Sequence, residues 1–409
     1  MTEAPSKPTT GPLPTARAEG CPFDPAAGFT ELREKDPIAR VECPAGMDAW
    51  LVTRYDDVRT VLSSSGLSSA VPVMAHADSN ADFSQPINPG SIIQTDGEVH
   101  SRLRRLLTAE FTVKRIQALR PYIQKLIDDH IDAMLAGGDS ADLVRDFALP
   151  IPSLVICELL GVPYEQRDQF QRQSAILTSV DVDPELSQRA IGEIQQFVGQ
   201  LVVSKMQAPA DDLISRLIAR ANESGQPLSV EELVVLALSL LVAGHETTAN
   251  MIALSTATLL RNPDQLDELR ANPELVPSAV EEMLRYLSVV QFGLFRAITE
   301  DIPLGDETLR AGEFLITSLA SGNRDTSVFP DADALDVKRK ASAHLAFGYG
   351  AHQCLGQQLA RVELQQVFGT LFTRIPTLRL ATPFEDLKFK DDTLVYGVRS
   401  LPVAWDAQN

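Results

Sequence analysis

Cysteine is sparse in this 409-residue chain: it stands only at positions 21, 43, 157 and 354, with no C-x-x-C pair. That excludes a zinc knuckle and a disulfide framework, and it points to a reducing compartment, the cytoplasm. Positive charge is in deficit, with 36 Lys and Arg against 55 Asp and Glu and a formal net charge of −19. A surface of that sign repels phosphate backbones and anionic headgroups, so neither nucleic acid nor membrane is an expected partner. Long apolar runs are missing. The longest mostly apolar stretch, 233–244, lies between Glu232 and His245 and falls short of the ~18 residues of a bilayer span. Residues 1–20 carry Pro5, Pro8, Pro12 and Pro14 and no apolar core, so they read as a loosely held tail and not a secretory leader. Repeats and low-complexity linkers are lacking too, and 21–409 is expected to form a single domain. Its 44% hydrophobic and 22% charged residues suit a globular chain with a core large enough to enclose a bulky ligand.

The patterning is mostly helical. Asp48-Ala-Trp-Leu-Val-Thr-Arg54 reads as a strand followed by a short helix over 55–62. Residues 68–90 hold Pro72, Pro86 and Pro89 among small polar residues and read as a long loop of the functional or mobile kind. From His100 to about 208, apolar residues recur at helical spacing (Leu103, Leu106, Leu107; Ile123, Leu126, Ile127), with a break at Asp181, Asp183 and Pro184. Ser229-Val-Glu-Glu232 is a capping box opening a helix that runs unbroken to Arg261, before Pro263. At 1.5 Å per residue it is about 48 Å long, and its apolar character makes it central. Strand-like pieces follow at 314–318 and 395–401. The fold class is therefore mainly α with a smaller β-rich portion.

The sharpest feature is Phe347-Gly-Tyr-Gly-Ala-His-Gln-Cys-Leu-Gly356. Its glycines permit a tight turn and close approach to something flat. Cys354 precedes a helical run, where free N–H groups and the helix dipole favour its thiolate. A lone thiolate without further ligands at zinc spacing suits a single axial bond to haem iron. Cys157 reads as core, Cys21 and Cys43 carry no assigned role, and His76 and His130 are expected at the surface.

This ten-residue segment resembles the haem-binding loop of the cytochrome P-450 family at every defining position. Ala243-Gly-His-Glu-Thr-Thr248 resembles the family's oxygen-activation motif, and Glu282-Met-Leu-Arg285 its E-x-x-R helix. Phe329-Pro-Asp331 with 336–339 resembles the segment that adds a second arginine, Arg339. The motifs stand in family order over roughly 20–405. One departure is Ser321-Gly-Asn-Arg-Asp-Thr326, where the family has Ala before Asn and Pro after Asp, which leaves a turn open.

The resemblance implies a triangular helical prism around a buried haem b, with dioxygen as co-substrate and a monooxygenase activity. Cys354 would be the metal ligand, and Ala243, Gly244, Phe347, Gly348 and Gly356 would surround the cofactor. His100, Arg104, Arg296 and His352 would bind its propionates. Glu282, Arg285 and Arg339 would form a structural ion network. Flavin and iron–sulfur motifs are lacking, so electrons would come from NAD(P)H only indirectly, through a ferredoxin reductase and a ferredoxin; the chain is expected to be a monomer. A peroxygenase on this scaffold, or a non-enzymatic haem protein, are the alternatives; the intact Glu246–Thr247 pair argues against the first.

On the central helix, 100° per residue places Leu240, Ala243, Gly244, Thr247 and Thr248 in one arc. Thr247 can bond a distal oxygen or bond back to the carbonyl four residues earlier. Glu246, on the flank, is the expected entry for protons and forms the catalytic pair with Thr247; His245 points away. Ile92, Ile93, Leu240, Ala243, Val289, Val290, Phe292, Leu294 and Val395 are the expected pocket. All are apolar, which predicts a hydrophobic small-molecule substrate. A secondary metabolite of the polyketide macrolide kind is the first expectation, with steroid, terpenoid or fatty acid as alternatives. Segments 68–90 and 178–186 are expected to gate it, and Arg102 and Arg105 to remain free for ferredoxin.

Overall fold

The computed structural model describes residues 7–17, 20–73, 75–78, 82–84, 86–88, 90–163, 176 and 183–406. Most of the gate expected at 178–186 lies outside these residues, as do positions 74, 79–81, 85 and 89 of the other.

The helices are α1 (Gly28–Lys35), α2 (Tyr55–Leu62), α3 (Gly97–Thr108), α4 (Val113–Ala136), α5 (Pro150–Leu160), α6 (Pro184–Gln207), α7 (Leu213–Glu223), α8 (Val230–Arg261), α9 (Pro263–Ala271), α10 (Val276–Leu287), the short α11 (Leu319–Gly322) and α12 (Gln357–Arg374). The strands are β1 (Gly11–Pro12), β2 (Ile38–Glu42), β3 (Asp48–Val52), β4 (Leu67–Ser68), β5 (Ser140–Asp142), β6 (Leu294–Ile298), β7 (Ile302–Leu304), β8 (Glu307–Leu309), β9 (Phe314–Thr317), β10 (Arg379–Leu380) and β11 (Pro402–Ala404). A mixed sheet runs β1-β2-β3-β9-β6-β4, a smaller one β10-β11-β5, and β7 pairs with β8.

The central helix α8 begins as its capping box dictates. Ser229 Oγ accepts from Glu232 N at 3.1 Å, and Glu232 Oε2 accepts from Ser229 N at 2.8 Å. Its length and hydropathy would suit a bilayer span, but here they serve the core: residues 248–259 are buried all round. Helices α5, α6, α10 and α12 pack on it, and α12 packs on α4.

Within the N-terminal segment, residues 7–13 are tied to the sheet: Lys7 Nζ donates to Ile38 O at 2.6 Å, Thr10 N to Arg40 O and Leu13 N to Glu42 O at 2.8 Å. The proline-rich segment adds β1 to a sheet edge, where Pro12 needs no donor, and Leu13 is buried. The strand expected at 395–401 is instead an arm with isolated bridges Val290–Val395 and Phe389–Val398, and the strand proper is β11. Tyr396 N bonds Val289 O (2.7 Å) and Asn250 crowds Gly397, so helices set this backbone's path. The departure at 321–326 still forms a turn, with buried Arg324 bonded to Tyr286 O and Asp333 and with Asp325 accepting from Tyr55 N.

Candidate active site

One apolar cavity of about 350 Å³ is lined by Leu240, Ala243, Gly244, Thr247 and Thr248 of α8 and by Phe347, Gly348, Cys354 and Gly356 of the cysteine loop. The two strongest motifs, more than a hundred residues apart in sequence, thus meet across one space.

The loop's path depends on two left-handed glycines, Gly348 (φ +68°) and Gly350 (φ +75°). A Cβ on Gly350 would collide with Leu62 O of α2. Cys354 N closes the loop on Phe347 O at 2.8 Å. Burial pushes the Cys354 thiol up; the N–H groups of Gly356 and Gln357 and the charges on Arg104 and Arg361 act the other way. Arg361 stacks over the Phe347 ring (4.6 Å) and pairs with Glu281 at 2.6 Å. His344 Nε2 also lies 3.2 Å from Glu281. Burial alone would raise Glu281, but His344 and Arg361 together hold it at about 2.

On α8, Thr247 Oγ1 donates to Ala243 O at 3.0 Å, so of its two options the back-bond is taken. Glu246 is not on an open flank. It is buried and paired with Lys390 Nζ at 3.1 Å. Gly244 lines the cavity, and a Cβ there would also press on Ile156 of α5 at 3.0 Å. His245 is buried and bonds Leu241 O.

At the edge of the cavity stand two arginines and two histidines. The His100 and His352 rings lie 4.1 Å apart, tilted by 34°, His352 Nε2 lies 3.2 Å from Asp96, Arg104 donates to Gln353 O (2.6 Å) and Arg296 to Phe295 O (2.7 Å). His352 is pushed down to about 4 by burial, with His100 and Arg296 adding. Burial likewise lowers His100, Arg104 and Arg296. His100 Nε2 is buried with no hydrogen-bond partner. Two desolvated guanidiniums, two desolvated imidazoles and an orphan ring nitrogen beside an apolar slot ending at a thiol fit a flat apolar group bearing carboxylates and a metal. These residues therefore suit haem.

Glu282 and Arg285 are fully buried and doubly paired at 2.7 and 2.8 Å, and Arg339 Nε reaches Glu282 at 3.1 Å. Among the expected pocket residues, Ile92, Ile93, Leu240, Ala243, Val289, Val290 and Leu294 line the cavity. Phe292 and Val395 do not. Phe292 is buried elsewhere, its carbonyl bonded to His76 Nε2 at 3.0 Å, and Val395 bridges Val290 while its neighbour Leu394 enters the cavity. His76, expected at the surface, is buried and stacked on Phe295, and burial pushes it down to about 4; His130 is half-buried and bonds Leu126 O. Arg102 is not free: it pairs with Glu232 of the capping box, whereas Arg105 is exposed. The sequence reading missed Lys390 and Leu394, which sit in an arm with no periodicity to signal them.

The Cytochrome P450 family model matches residues 185–395. Cytochrome P450-SU2 of Streptomyces griseolus is 49% identical, over 96% of this chain and 96% of its own. A 20-oxo-5-O-mycaminosyltylactone 23-monooxygenase of Streptomyces fradiae is 40% identical, over 96% of this chain and 92% of its own. The crystal structure of CYP105P1 in complex with filipin I superposes with a TM-score of 0.93 at 43% identity, covering 98% of this chain and all of that one. The chain belongs to the cytochrome P450 family. It is a haem-thiolate monooxygenase, an oxidoreductase that uses haem and dioxygen, depends on redox partners and binds hydrophobic substrates.

Proposed function

We propose that this enzyme binds haem b through Cys354 and inserts one oxygen atom, by hydroxylation or epoxidation, into a large apolar secondary metabolite, a polyketide macrolactone before a steroid, terpenoid or fatty acid. It works as a cytoplasmic monomer of one domain, with electrons from NAD(P)H by way of a ferredoxin reductase and a ferredoxin. When bound, haem supplies dioxygen activation and oxygen transfer. The chain supplies the rest. Cys354 donates the thiolate, and Phe347, Gly348, Ala243, Gly244 and Gly356 frame the ring. His100, Arg104, Arg296 and His352 hold the propionates and regain anionic partners by doing so. Glu246 and Thr247 deliver protons on the α8 side. Ile92, Ile93, Leu240, Val289, Val290, Leu294 and Leu394 exclude water and orient the substrate. Glu282, Arg285 and Arg339 hold the surrounding frame.

The observation that carries this reading is that Cys354 and Thr247 line the same apolar cavity, with the unsatisfied His100 at its edge. The macrolactone preference draws on the relative named for a mycaminosylated lactone and on the neighbour crystallised with filipin I. The test is a spectral titration of the ferric holoprotein with macrolactones, steroids, terpenoids and fatty acids, then turnover with NAD(P)H, a surrogate ferredoxin and its reductase, against peroxide alone. Product only with peroxide would favour the peroxygenase alternative. Cys354→Ser should abolish the thiolate signature of the reduced, carbon-monoxide-bound protein; its survival would remove Cys354 as ligand.

A further inference from the structure

The arm between Lys388 and Arg399 crosses from the protein surface into the cavity. Its two sides are tied by Lys390 N to Gly397 O and Arg399 N to Lys388 O, both 2.8 Å. Its tip is anchored by buried Gln291, whose side-chain amide donates to Thr393 O and to Lys390 O. Leu394, at the tip, lines the cavity. Lys390, at the base, places its ammonium 3.1 Å from Glu246 of α8. Both side chains are largely withdrawn from solvent, with relative exposures of 17% and 6%. His245 is the other titratable group that feels both. A buried carboxylate with one cationic partner has its position set by that partner, because losing the partner leaves a desolvated charge.

We propose that Lys390 is a positioning residue for proton delivery: it holds the Glu246 carboxylate in register and couples that register to the arm that touches substrate through Leu394. The inference rests on the reading of Glu246 as proton donor. Each oxygen insertion takes up two electrons and two protons and releases one water. A proton passed from the Glu246 carboxyl to the cavity is replaced from solvent, and Lys390 accompanies the anion left between the two events. Substrate seated against Leu394 presses on the segment that carries the ammonium, so the carboxyl group is placed to relay a solvent proton when substrate is present.

The experiment compares the haem-loaded wild type with Lys390→Met, Lys390→Arg, Glu246→Gln and the Glu246→Gln/Lys390→Met double variant. It measures product formed per NAD(P)H consumed and peroxide released. Lys390→Met should lower coupling about three- to tenfold while the substrate dissociation constant, from the ferric spectral shift, stays within twofold. Lys390→Arg should recover most of the coupling, and the double variant should be no worse than Glu246→Gln. Without substrate or reductant, the urea midpoints of the ferric protein should be non-additive across the two positions. Coupling unchanged in Glu246→Gln would overturn the proton-donor reading itself. Glu246→Gln uncoupled beside a wild-type-like Lys390→Met would overturn the inference alone, as would equal losses in Lys390→Met and Lys390→Arg, which would mark a merely structural arm.

Discussion

Replacing Arg285 by Met removes a guanidinium that makes five hydrogen bonds. Two go to Glu282 at 2.7 and 2.8 Å, and three go to the carbonyls of Asn323, Ala332 and Ala334 at 2.8, 2.7 and 3.3 Å. Met fills much of the volume, so cavity cost is small. Breaking a buried pair costs about 3–5 kcal/mol, and each of the two buried carbonyls left bare, those of Asn323 and Ala332, adds about 1–3, while water can satisfy the exposed Ala334 carbonyl. Glu282 keeps Arg339 Nε at 3.1 Å and Asp336 N at 3.0 Å, which holds the pair term at the low end. The expected loss is about 5 kcal/mol, against a total stability of about 5–15. The damage reaches the cysteine loop, because the residue that Arg285 anchors, Asn323, accepts from Leu345 N at 2.6 Å through its side chain. Arg339→Met is the control. Apart from Glu282, Arg339 bonds exposed carbonyls that water can satisfy, so about 1–2 kcal/mol is expected. Urea unfolding followed by the buried Trp50 and Trp405, with haem content per chain, measures both. Equal midpoints for the two variants would refute the reasoning, since it rests on burial and bond count at Arg285.

Thr247→Ala should leave substrate affinity nearly intact and divert reducing equivalents to peroxide, read as product per NAD(P)H; unchanged coupling would move the proton role to Thr248. On the proposed ferredoxin reading, Arg105, exposed beside a groove formed with His100, Ser101, Arg104 and Ala351, is a cation that the donor's carboxylates would meet. Arg105→Glu should slow first-electron reduction most at low ionic strength, with equal stopped-flow rates at every salt concentration counting against it. Arg102→Glu would instead cost stability through Glu232. Glu281 has its folded pKa lowered to about 2 from an ordinary 4.5, so its contribution is full above about pH 4.5 and lost as pH falls toward 2. After allowance for solvent screening it is about 2 kcal/mol. Glu281→Gln should cost that much at pH 7 and converge on wild type near pH 2, and a gap unchanged at pH 2 would refute the linkage.

Residues whose roles depend on their near neighbours were legible from the sequence. The capping box at Ser229, the unbroken run to Arg261, the strand from Asp48 and the helix from Tyr55 all follow from local pattern, and the structure places them there. The cysteine loop was legible too, because only glycine at 348 and 350 tolerates left-handed backbone and Cys354 must stand just ahead of a helix. What local pattern could not carry was which distant groups would meet. Glu246 looks solvent-facing on a helical wheel; it is buried because an arm 144 residues later brings Lys390 to it. Arg102 looks free until α8 starts beside it, and Gly244, which lines the cavity, also has Ile156 of α5 close against it. Phe292 and Val395 are as apolar as their neighbours, and only the turn of the chain at Gly293 and the bridge to Val290 decide that Leu294 and Leu394 face the cavity. Backbone propensity and capping act within a few residues and are written in order along the chain. Burial, pairing and cavity shape depend on what the rest of the fold delivers, so the tertiary structure alone assigned them.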